Sequence, residues 1–356
     1  MLMEHLHKSS LFINLREPEV ERSFLANPEK LRYLVHGSRH EWIVLDEIQK
    51  VPSLLDVVHT LIEEKEGFKF VLTGSSSRKL KRIGADLLGG RASNRHLHPF
   101  MAAELGKAFN LEKALNFGLL PLVWTDQDPK DALQAYISVY LREEIQAEGL
   151  VRNIGDFARF LEVVSFSHGA TLNLTNIAKE CHVKRKTLEG YMQVLSDLLL
   201  AYDLPVFARR AKRELAVRPK FYLFDTGVYS ALRRRGPLDT SDEINGSALE
   251  GLVGQHLKAW CDYSEEPHEL SYWQTRSKVE VDFVVYGPLG LWAIEVKNNK
   301  NPTFEDLKSL KSFAEDYPEA KCILVYRGNQ PMKIDEITCL PVNEFLISLK
   351  PNQPLV

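Results

Sequence analysis

The chain has 356 residues and a formal net charge of −3, with 44% apolar and 26% charged residues. This length allows two or three domains, and the composition is that of globular protein, which excludes disordered and collagen-like classes. No apolar run approaches the ~20 residues of a membrane span or the pattern of a signal peptide, and the four cysteines form no Cys-x-x-Cys motif. We therefore expect a cytoplasmic protein without a leader, a zinc site or a disulfide framework.

The first elements in chain order are strands that alternate with helices. We predict a strand over residues 10–15, one helix from Val20 to Leu34, and a strand from Trp42 that ends in Asp46 and Glu47. An amphipathic helix over residues 54–62 and a second apolar strand over residues 68–74 follow. Continuous apolar strands alternating with helices are typical of a buried parallel sheet.

Asp46 and Glu47 come directly after the most apolar of these strands. Ligands bind outside the carboxyl ends of the strands in open α/β sheets. In a nucleotide hydrolase the first acid of this Walker B pattern would hold Mg²⁺ and the second would polarise the attacking water. The pattern by itself also describes a buried strand that ends in a solvated acidic turn.

Two further residues fit nucleotide chemistry. Ser75 follows the second apolar strand, where many ATPases place a γ-phosphate sensor, although serine-rich turns are common. Arg91, in Gly89-Gly90-Arg91, has the side chain that neutralises charge as an arginine finger, although a Gly-Arg pair by itself is a weak motif.

Taken in order, these motifs form a specific series: Leu45–Gln49, Leu72–Ser76, Gly90–Arg91, Leu97–Phe100 and Gly118–Pro121. The series resembles the AAA-type ATPase family of bacteria and archaea that carries a C-terminal domain of unknown function with a restriction-endonuclease-like, PD-(D/E)xK fold. The resemblance implies an α/β chain: an incomplete P-loop NTPase (AAA-like) parallel sheet over residues 1–125, a winged-helix region over 126–237 and a nuclease-like α/β domain over 238–356. It also implies ATP and Mg²⁺ as cofactors, with Asp46 and Glu47 serving Mg²⁺ and water, Ser75 the γ-phosphate and Arg91 a neighbouring nucleotide.

The sequence departs from this family at the phosphate-binding loop. No Gly-x-x-x-x-Gly-Lys-[Ser/Thr] motif occurs, and Gly106-Lys107 is followed by Ala108. Because that loop supplies most of the phosphate cradle, ATP binding by these residues is in doubt. We expect either that the full protein starts upstream of Met1, which we favour, or that the sheet closes up. The missing strand would leave a gap between the strand ending at Gly74 and a strand predicted around residues 96–100.

The middle region is predicted to be helical and then to form a small sheet. We predict helices over residues 132–148, 157–165, 174–181 and 188–200, with Thr187 helping to cap the last of them, and strands over 204–207 and 220–224. This helix-turn-helix followed by two strands resembles a winged helix.

Basic residues are concentrated in this region. Residues 205–235 hold nine basic residues against two acidic ones. Beside a helix-turn-helix, such a patch suits DNA phosphates, and it equally suits a solvated face or an interface with acidic parts of the chain. The candidate nucleic-acid-binding residues are Lys184, Arg185, Lys186, Arg209, Arg210, Lys212 and Arg213.

The C-terminal region carries a second acidic motif. We predict a helix over residues 243–263 that contains Glu250, then strands over 270–273, 279–286 and 291–297, which include Asp282, Glu295 and Lys297. Asp282 followed by Glu295-x-Lys297 is the PD-(D/E)xK arrangement, in which carboxylates hold Mg²⁺ or Mn²⁺ and lysine orients or deprotonates the attacking water. A helix over 304–317 and a strand over 322–326 complete the αβββαβ core of that fold.

Three functions remain open on the sequence. The first is an AAA-type ATPase-like protein that couples ATP binding and hydrolysis to DNA or a partner. The second is a Mg²⁺-dependent nuclease, since fold does not establish activity. The third is a non-enzymatic DNA-binding regulator with vestigial sites. Candidate partners are DNA, a second copy of the chain or another protein, and no membrane partner is expected.

Overall fold

The computed structural model describes residues 9–74, 92–93, 95–140, 145, 151, 153–211, 213–216, 218–234, 236 and 239–356. Proximity of Cα atoms divides the chain into two compact units. Unit 1 comprises residues 1–94 and 197–199, and unit 2 comprises residues 95–196 and 200–356. Among the described residues, unit 1 contains one β-sheet and unit 2 contains two.

A three-stranded parallel sheet forms the centre of unit 1. Its strands, in spatial order, are β1 (Leu11–Asn14), β2 (Trp42–Asp46) and β3 (Lys69–Leu72). The side chains of β2 from Ile43 to Leu45 are fully buried, as expected for the middle strand of a parallel sheet covered on both faces. The three predicted strands of this region are confirmed.

Three helices pack around this sheet. They are α1 (Pro18–Ala26), α2 (Lys30–Gly37) and α3 (Leu54–Glu63). The amphipathic helix predicted over residues 54–62 is confirmed as α3. The single helix predicted from Val20 to Leu34 is wrong, because Asn27 and Pro28 separate α1 from α2. Proline lacks an amide hydrogen and disfavours helical backbone at the residue before it, and Asn27 has a φ of −147°.

Unit 2 begins with short helices. They are α4 (Ala102–Leu105), α5 (Leu111–Phe117), α6 (Pro121–Trp124), α7 (Pro129–Ala135) and α8 (Ile154–Ser165). The strand predicted over residues 96–100 is wrong, because the amides of His98 and Phe100 donate to the Tyr263 hydroxyl and to Leu119 O instead of to a strand. The single α-helix predicted over residues 132–148 also differs, since α7 ends at Ala135 and residues 136–140 form a π-helix.

A small antiparallel sheet and a helix pair follow. The sheet consists of β4 (Ala170–Thr171), β5 (Ala201–Leu204) and β6 (Lys220–Leu223), with β6 in the middle. The helices α9 (Leu174–Glu180) and α10 (Arg185–Asp197) lie between β4 and β5 in the chain. Thr187 does not cap α10, because this helix already begins at Arg185. The strand predicted over residues 204–207 lies earlier in the chain than expected, as β5 (Ala201–Leu204).

A six-stranded mixed sheet dominates the C-terminal half of unit 2. Its spatial order is β11-β12-β10-β9-β8-β7. The strands are β7 (Glu269–Gln274), β8 (Glu280–Gly287), β9 (Gly290–Lys297), β10 (Lys321–Tyr326), β11 (Met332–Ile334) and β12 (Ile337–Pro341). The helices of this part are α11 (Thr226–Leu232), α12 (Ser241–Tyr263), α13 (Lys308–Asp316) and α14 (Val342–Ser348). The predicted helices and strands from residue 243 to residue 326 are confirmed, whereas β11, β12 and α14 were not predicted.

None of the described helices combines the length and the apolar character that crossing a membrane requires.

Candidate functional site

The acid pair of unit 1 lies where β2 ends, at the carboxyl end of the middle strand. Asp46 and Glu47 are each 8% exposed. Glu47 has a φ of 60° and a ψ of 48°, a left-handed conformation that costs a non-glycine residue roughly 1–2 kcal/mol. Backbone strain of this kind concentrates at functional sites, so this turn is the candidate site of unit 1.

Two neighbours of the acid pair were not predicted. Thr73 follows β3, and its Oγ1 donates a hydrogen bond to Asp46 Oδ1 at 2.5 Å and accepts one from the Glu47 amide at 3.3 Å. Arg16 follows β1, and its Nη2 lies 2.5 Å from Glu47 Oε1. The rule that parallel strands bring their carboxyl ends to one edge would have found both residues. The acid pair therefore has a hydroxyl on one side and a guanidinium on the other.

The remaining predicted residues of the nucleotide site, Ser75 and Arg91, lie outside the described residues, and so does Lys212 of the basic group. Their roles stay predictions.

The acids and the lysine predicted for the C-terminal motif come together at one end of β8 and β9. These strands are antiparallel neighbours, so the start of β8 adjoins the end of β9. Asp282 Oδ2 accepts a hydrogen bond from the Val296 amide at 2.8 Å. Lys297 Nζ donates to Glu295 Oε1 at 2.6 Å. The spacing of Glu295-x-Lys297 thus places an acid and an ammonium side by side next to a second acid.

Burial shapes the ionisation of this cluster. Burial and the nearby charge of Asp282 raise the pKa of Glu295 to about 8, against the opposing effect of Lys297. The same two causes raise the pKa of Glu250, on α12, to about 7. Glu295 Oε2 is buried without a hydrogen-bond partner. A cation placed among these carboxylates would favour their ionised forms.

Two residues of β6 complete the cluster and were not predicted to belong to it. Lys220 Nζ lies 3.2 Å from Glu250 Oε1 and 3.8 Å from Asp282 Oδ1, and it also pairs with Glu280. Tyr222 Oη donates to Glu250 Oε1 at 2.5 Å. The alternation of a strand puts Lys220 and Tyr222 on the same face of β6, which was the available signal. We call the four acids Glu250, Glu280, Asp282 and Glu295, together with Lys220, Tyr222 and Lys297, the acid cluster of unit 2.

The basic residues of the middle region fall into two groups. Arg209 pairs with Glu269 at 2.6 Å, and Arg213 lies 2.8 Å from Glu315 Oε2 and 3.0 Å from Asp316 Oδ1. These two arginines therefore contact acidic residues of the six-stranded sheet and α13. This is the arrangement expected if the basic residues form an interface with acidic parts of the chain.

The second group forms no ion pair with the six-stranded sheet or α13 among the residues that the structure describes. Lys184, Arg185 and Lys186 surround the start of α10 and are exposed, as is Arg210. Arg185 forms a surface pair with Glu189 at 3.0 Å, which contributes little stability. These four residues remain available to a partner.

Comparison with protein families gives three matches in chain order. The AAA domain family matches residues 1–106. Two families described as domains of unknown function match the residues that follow, DUF8612 over residues 108–239 and DUF4143 over residues 245–345. Together these matches support an AAA-type ATPase-like family. The acid pair of unit 1 lies within the AAA match, and Glu250, Asp282, Glu295 and Lys297 lie within the DUF4143 match.

Similar proteins are known from bacteria and archaea. Uncharacterized proteins of Mycobacterium bovis and Mycobacterium tuberculosis are each 25% identical over 312 residues, which is 85% of this chain and 69% of theirs. An uncharacterized protein of Methanocaldococcus jannaschii is 24% identical over 314 residues, which is 81% of this chain and 68% of that protein. The crystal structure of protein VC1899 from Vibrio cholerae covers 96% of both chains at 13% identity, but its TM-score of 0.23 carries no argument.

The AAA match implies Mg²⁺ and a nucleotide in general, and the residues present fit these two groups unequally. Asp46, Glu47 and the Thr73 hydroxyl are hard oxygen donors, which suit Mg²⁺. No Gly-x-x-x-x-Gly-Lys-[Ser/Thr] loop occurs in the 356 residues, so no segment of this sequence matches the usual phosphate cradle. The residues therefore fit the metal ion and not the phosphates.

Proposed function

We propose that the protein is an AAA-type ATPase-like protein that couples ATP binding and hydrolysis to DNA or to a protein partner, and that its acid pair binds Mg²⁺. The observation that carries this proposal is the position of Asp46 and Glu47, buried at the carboxyl end of the middle parallel strand with Thr73 bonded to Asp46. Asp46 would hold the metal ion, and Glu47 would orient water beside it. The AAA match over residues 1–106 supports the same proposal.

Isothermal titration calorimetry with Mg²⁺, alone and with ATP, tests this proposal. Asp46→Asn should weaken Mg²⁺ binding roughly tenfold or more, because it removes the charge of a metal ligand. Asp56→Asn is the matched control, since Asp56 is exposed on α3 of the same unit. Mg²⁺ binding that is unchanged in Asp46→Asn would contradict the proposal, and ATP that adds no heat beyond that of Mg²⁺ would limit unit 1 to metal recognition.

A second function is favoured by the acid cluster of unit 2. We propose that residues 238–356 form a restriction-endonuclease-like domain with Mg²⁺- or Mn²⁺-dependent nuclease activity. Asp282 and Glu295 would hold the metal ion, and Glu295 Oε2, buried without a hydrogen-bond partner, is an oxygen available for it. The metal ion would supply Lewis-acid stabilisation of a phosphate. Lys297, bonded to Glu295 at 2.6 Å, would orient water at that phosphate.

Cleavage of labelled single- and double-stranded DNA and RNA tests the nuclease proposal. Lys297→Met should lower the rate roughly 100-fold, as expected for loss of a group that assists proton transfer. Lys311→Met is the matched control, because Lys311 pairs with Asp335 on the surface of the same region. A cleavage rate that is the same in Lys297→Met and Asp282→Ala as in the parent would come from a contaminating nuclease and would contradict the proposal.

Nucleic acid is the partner that the exposed basic residues favour. The element order α8, β4, α9, α10, β5, β6 supports the proposal of a winged helix in the middle region. Lys184, Lys186 and Arg210 would contact phosphates, whereas Arg209 and Arg213 are engaged in ion pairs. The non-enzymatic alternative, a DNA-binding regulator, uses the same surface.

Fluorescence anisotropy with DNA across a salt series tests this partner. Replacing Lys184 and Lys186 with alanine should weaken binding and lower the salt slope by about one to two. Replacing Arg209 with alanine should have a smaller effect, because its guanidinium is held by Glu269. Binding that is insensitive to salt and to the lysine changes would remove DNA as the partner of this surface.

A further inference from the structure

Lys220 has an unusual position for a lysine in a region rich in basic residues. Its side chain is 4% exposed, and its ammonium faces three carboxylates, those of Glu250, Glu280 and Asp282. Glu250 belongs to α12, and the other two acids belong to β8. Lys220 itself comes from β6, in the middle of the small antiparallel sheet. One cation from a separate sheet therefore sits among the acids of the C-terminal motif.

The lysine is held there as an ammonium. Burial lowers the pKa of Lys220, but the attraction of Glu250, Asp282 and Glu280 outweighs burial and raises that pKa above its ordinary value. The ring of Tyr272 lies 5.4 Å from Nζ, which adds a cation–π contact.

A second contact fixes β6 against the same acid. Tyr222 lies two residues after Lys220 and donates its hydroxyl to Glu250 Oε1, the oxygen that also contacts Lys220. Both side chains leave the same face of β6. Glu280 Oε2 is in turn bonded by Gln274. Glu250 and Glu280 are thus oriented toward the ammonium and not toward solvent.

Lys220 places a positive charge 3.8 Å from Asp282 Oδ1, one of the two acids assigned to the metal ion, and it also pairs with Glu250 and Glu280. Mg²⁺ requires oxygen ligands at about 2.0–2.1 Å, and two cations at such separations repel strongly in a buried site. We propose that Lys220 occupies the acid cluster as an internal cation that competes with a divalent metal ion, so that the metal ion binds there tightly only when β6 withdraws Lys220. This inference rests on the proposed nuclease function for the use of the metal ion, and it makes that activity sensitive to the position of the β4-β6-β5 sheet.

Mn²⁺ binding measured by electron paramagnetic resonance and calorimetry tests the inference. All proteins carry Asp46→Asn, which weakens the acid-pair metal site of unit 1. Lys220→Met keeps the length of the side chain and removes its charge, and it should tighten Mn²⁺ binding roughly tenfold or more. Lys311→Met is the matched control and should bind Mn²⁺ as the parent does. A folded Lys220→Met protein that binds Mn²⁺ no more tightly than the parent overturns the inference.

Lys220→Met leaves three carboxylates together, so its folding must be considered. If it folds only with Mn²⁺, shown by a thermal midpoint that rises more with Mn²⁺ than that of the parent, the inference is supported. If it does not fold at all, Glu280→Gln decides. That change loosens the hold on Lys220 and should tighten Mn²⁺ binding, and unchanged or weaker binding overturns the inference.

The two proposals for unit 2 fail in different ways. Tighter Mn²⁺ binding by Lys220→Met without any cleavage of nucleic acid contradicts the nuclease function and keeps the role of Lys220. Equal Mg²⁺-dependent cleavage by the parent and by Lys220→Met contradicts the role of Lys220 and keeps the nuclease function.

Discussion

Replacing Gly251 with alanine tests the close packing of α12 against His168, which brings Glu250 near β6. A Cβ atom at Gly251, on α12, would lie 2.1 Å from His168 Nε2 and 2.9 Å from its Cε1. The His168 ring is not free to turn aside. It stacks on Tyr229 with the centroids 4.3 Å apart, and its Nδ1 accepts a hydrogen bond from the Leu223 amide at 3.1 Å. The alanine methyl group must therefore push α12 away from β6 or break the bond to Leu223.

The size of the effect follows from these contacts. Overpacking of a filled core costs about 1–3 kcal/mol, and loss of a buried hydrogen bond costs about 1 kcal/mol. The helix preference of alanine over glycine returns about 1 kcal/mol. We expect Gly251→Ala to destabilise unit 2 by about 1–3 kcal/mol, and its thermal midpoint to fall by about 2–10 °C.

Gly246 on the same helix provides the matched control. No heavy atom lies within 4 Å of a Cβ built at Gly246, so Gly246→Ala should stabilise unit 2 by up to about 1 kcal/mol. Thermal melting followed by tryptophan fluorescence suits this comparison. Trp42 is the one tryptophan in unit 1, and replacing it with phenylalanine in all proteins leaves a report on unit 2. A midpoint for Gly251→Ala equal to or above that of Gly246→Ala would refute the reasoning.

Three further predictions concern other contacts. Thr73→Val removes the hydroxyl that donates to Asp46, which should destabilise unit 1 by about 1–3 kcal/mol. Hydrogen exchange of the β2 and β3 amides should therefore become faster, and unchanged exchange rates would contradict this. Burial lowers the pKa of His168 to about 3. The neutral ring therefore stabilises the fold fully above the unfolded pKa of about 6.5, and this stabilisation is lost as pH falls toward 3. The cost of His168→Asn should therefore shrink by up to about 1.4 kcal/mol per pH unit below 6.5 in urea titrations, and a constant cost would count against it. Arg213→Gln should lower the thermal midpoint below that of the exposed control Arg210→Gln, because Arg213 holds two acids of α13; equal midpoints would show that this ion pair is dispensable.

The sequence predicted best those elements whose pattern is local. The apolar run from Ile43 to Leu45 identified a buried parallel strand, and the helical spacing from Leu54 to Ile62 identified α3. The PD-(D/E)xK arrangement also grouped Asp282 with Glu295, on the strands that form β8 and β9. In each case the burial of a segment's own side chains determines the element, so a window of ten residues contains the information.

The sequence failed where one residue meets another far along the chain. Lys220 was one of nine basic residues for which DNA contact, a solvated face and an interface with acidic parts of the chain were all open, and no pattern singled it out as buried against Glu250 and Asp282. The predicted helix over residues 20–34 failed for a local reason, because Pro28 lacks the amide hydrogen that a continuous helix needs at that position. Pairing between β6 and distant acids depends on how two sheets pack, and no periodicity within either segment reports it.

The two acid sites differ in how easily their cation can leave. Arg16 contacts Glu47 with a side chain that is 64% exposed, and surface ion pairs contribute little stability, so a ligand cation at Asp46 and Glu47 displaces it at small cost. Lys220 is 4% exposed, and separating a buried charge from its partners costs several kcal/mol. Unit 1 should therefore respond to the concentration of its ligand alone. The acid cluster of unit 2 should bind a metal ion tightly only when a second event shifts β6, so metal titration of the intact protein should show one readily filled acid site and one that fills at higher concentration.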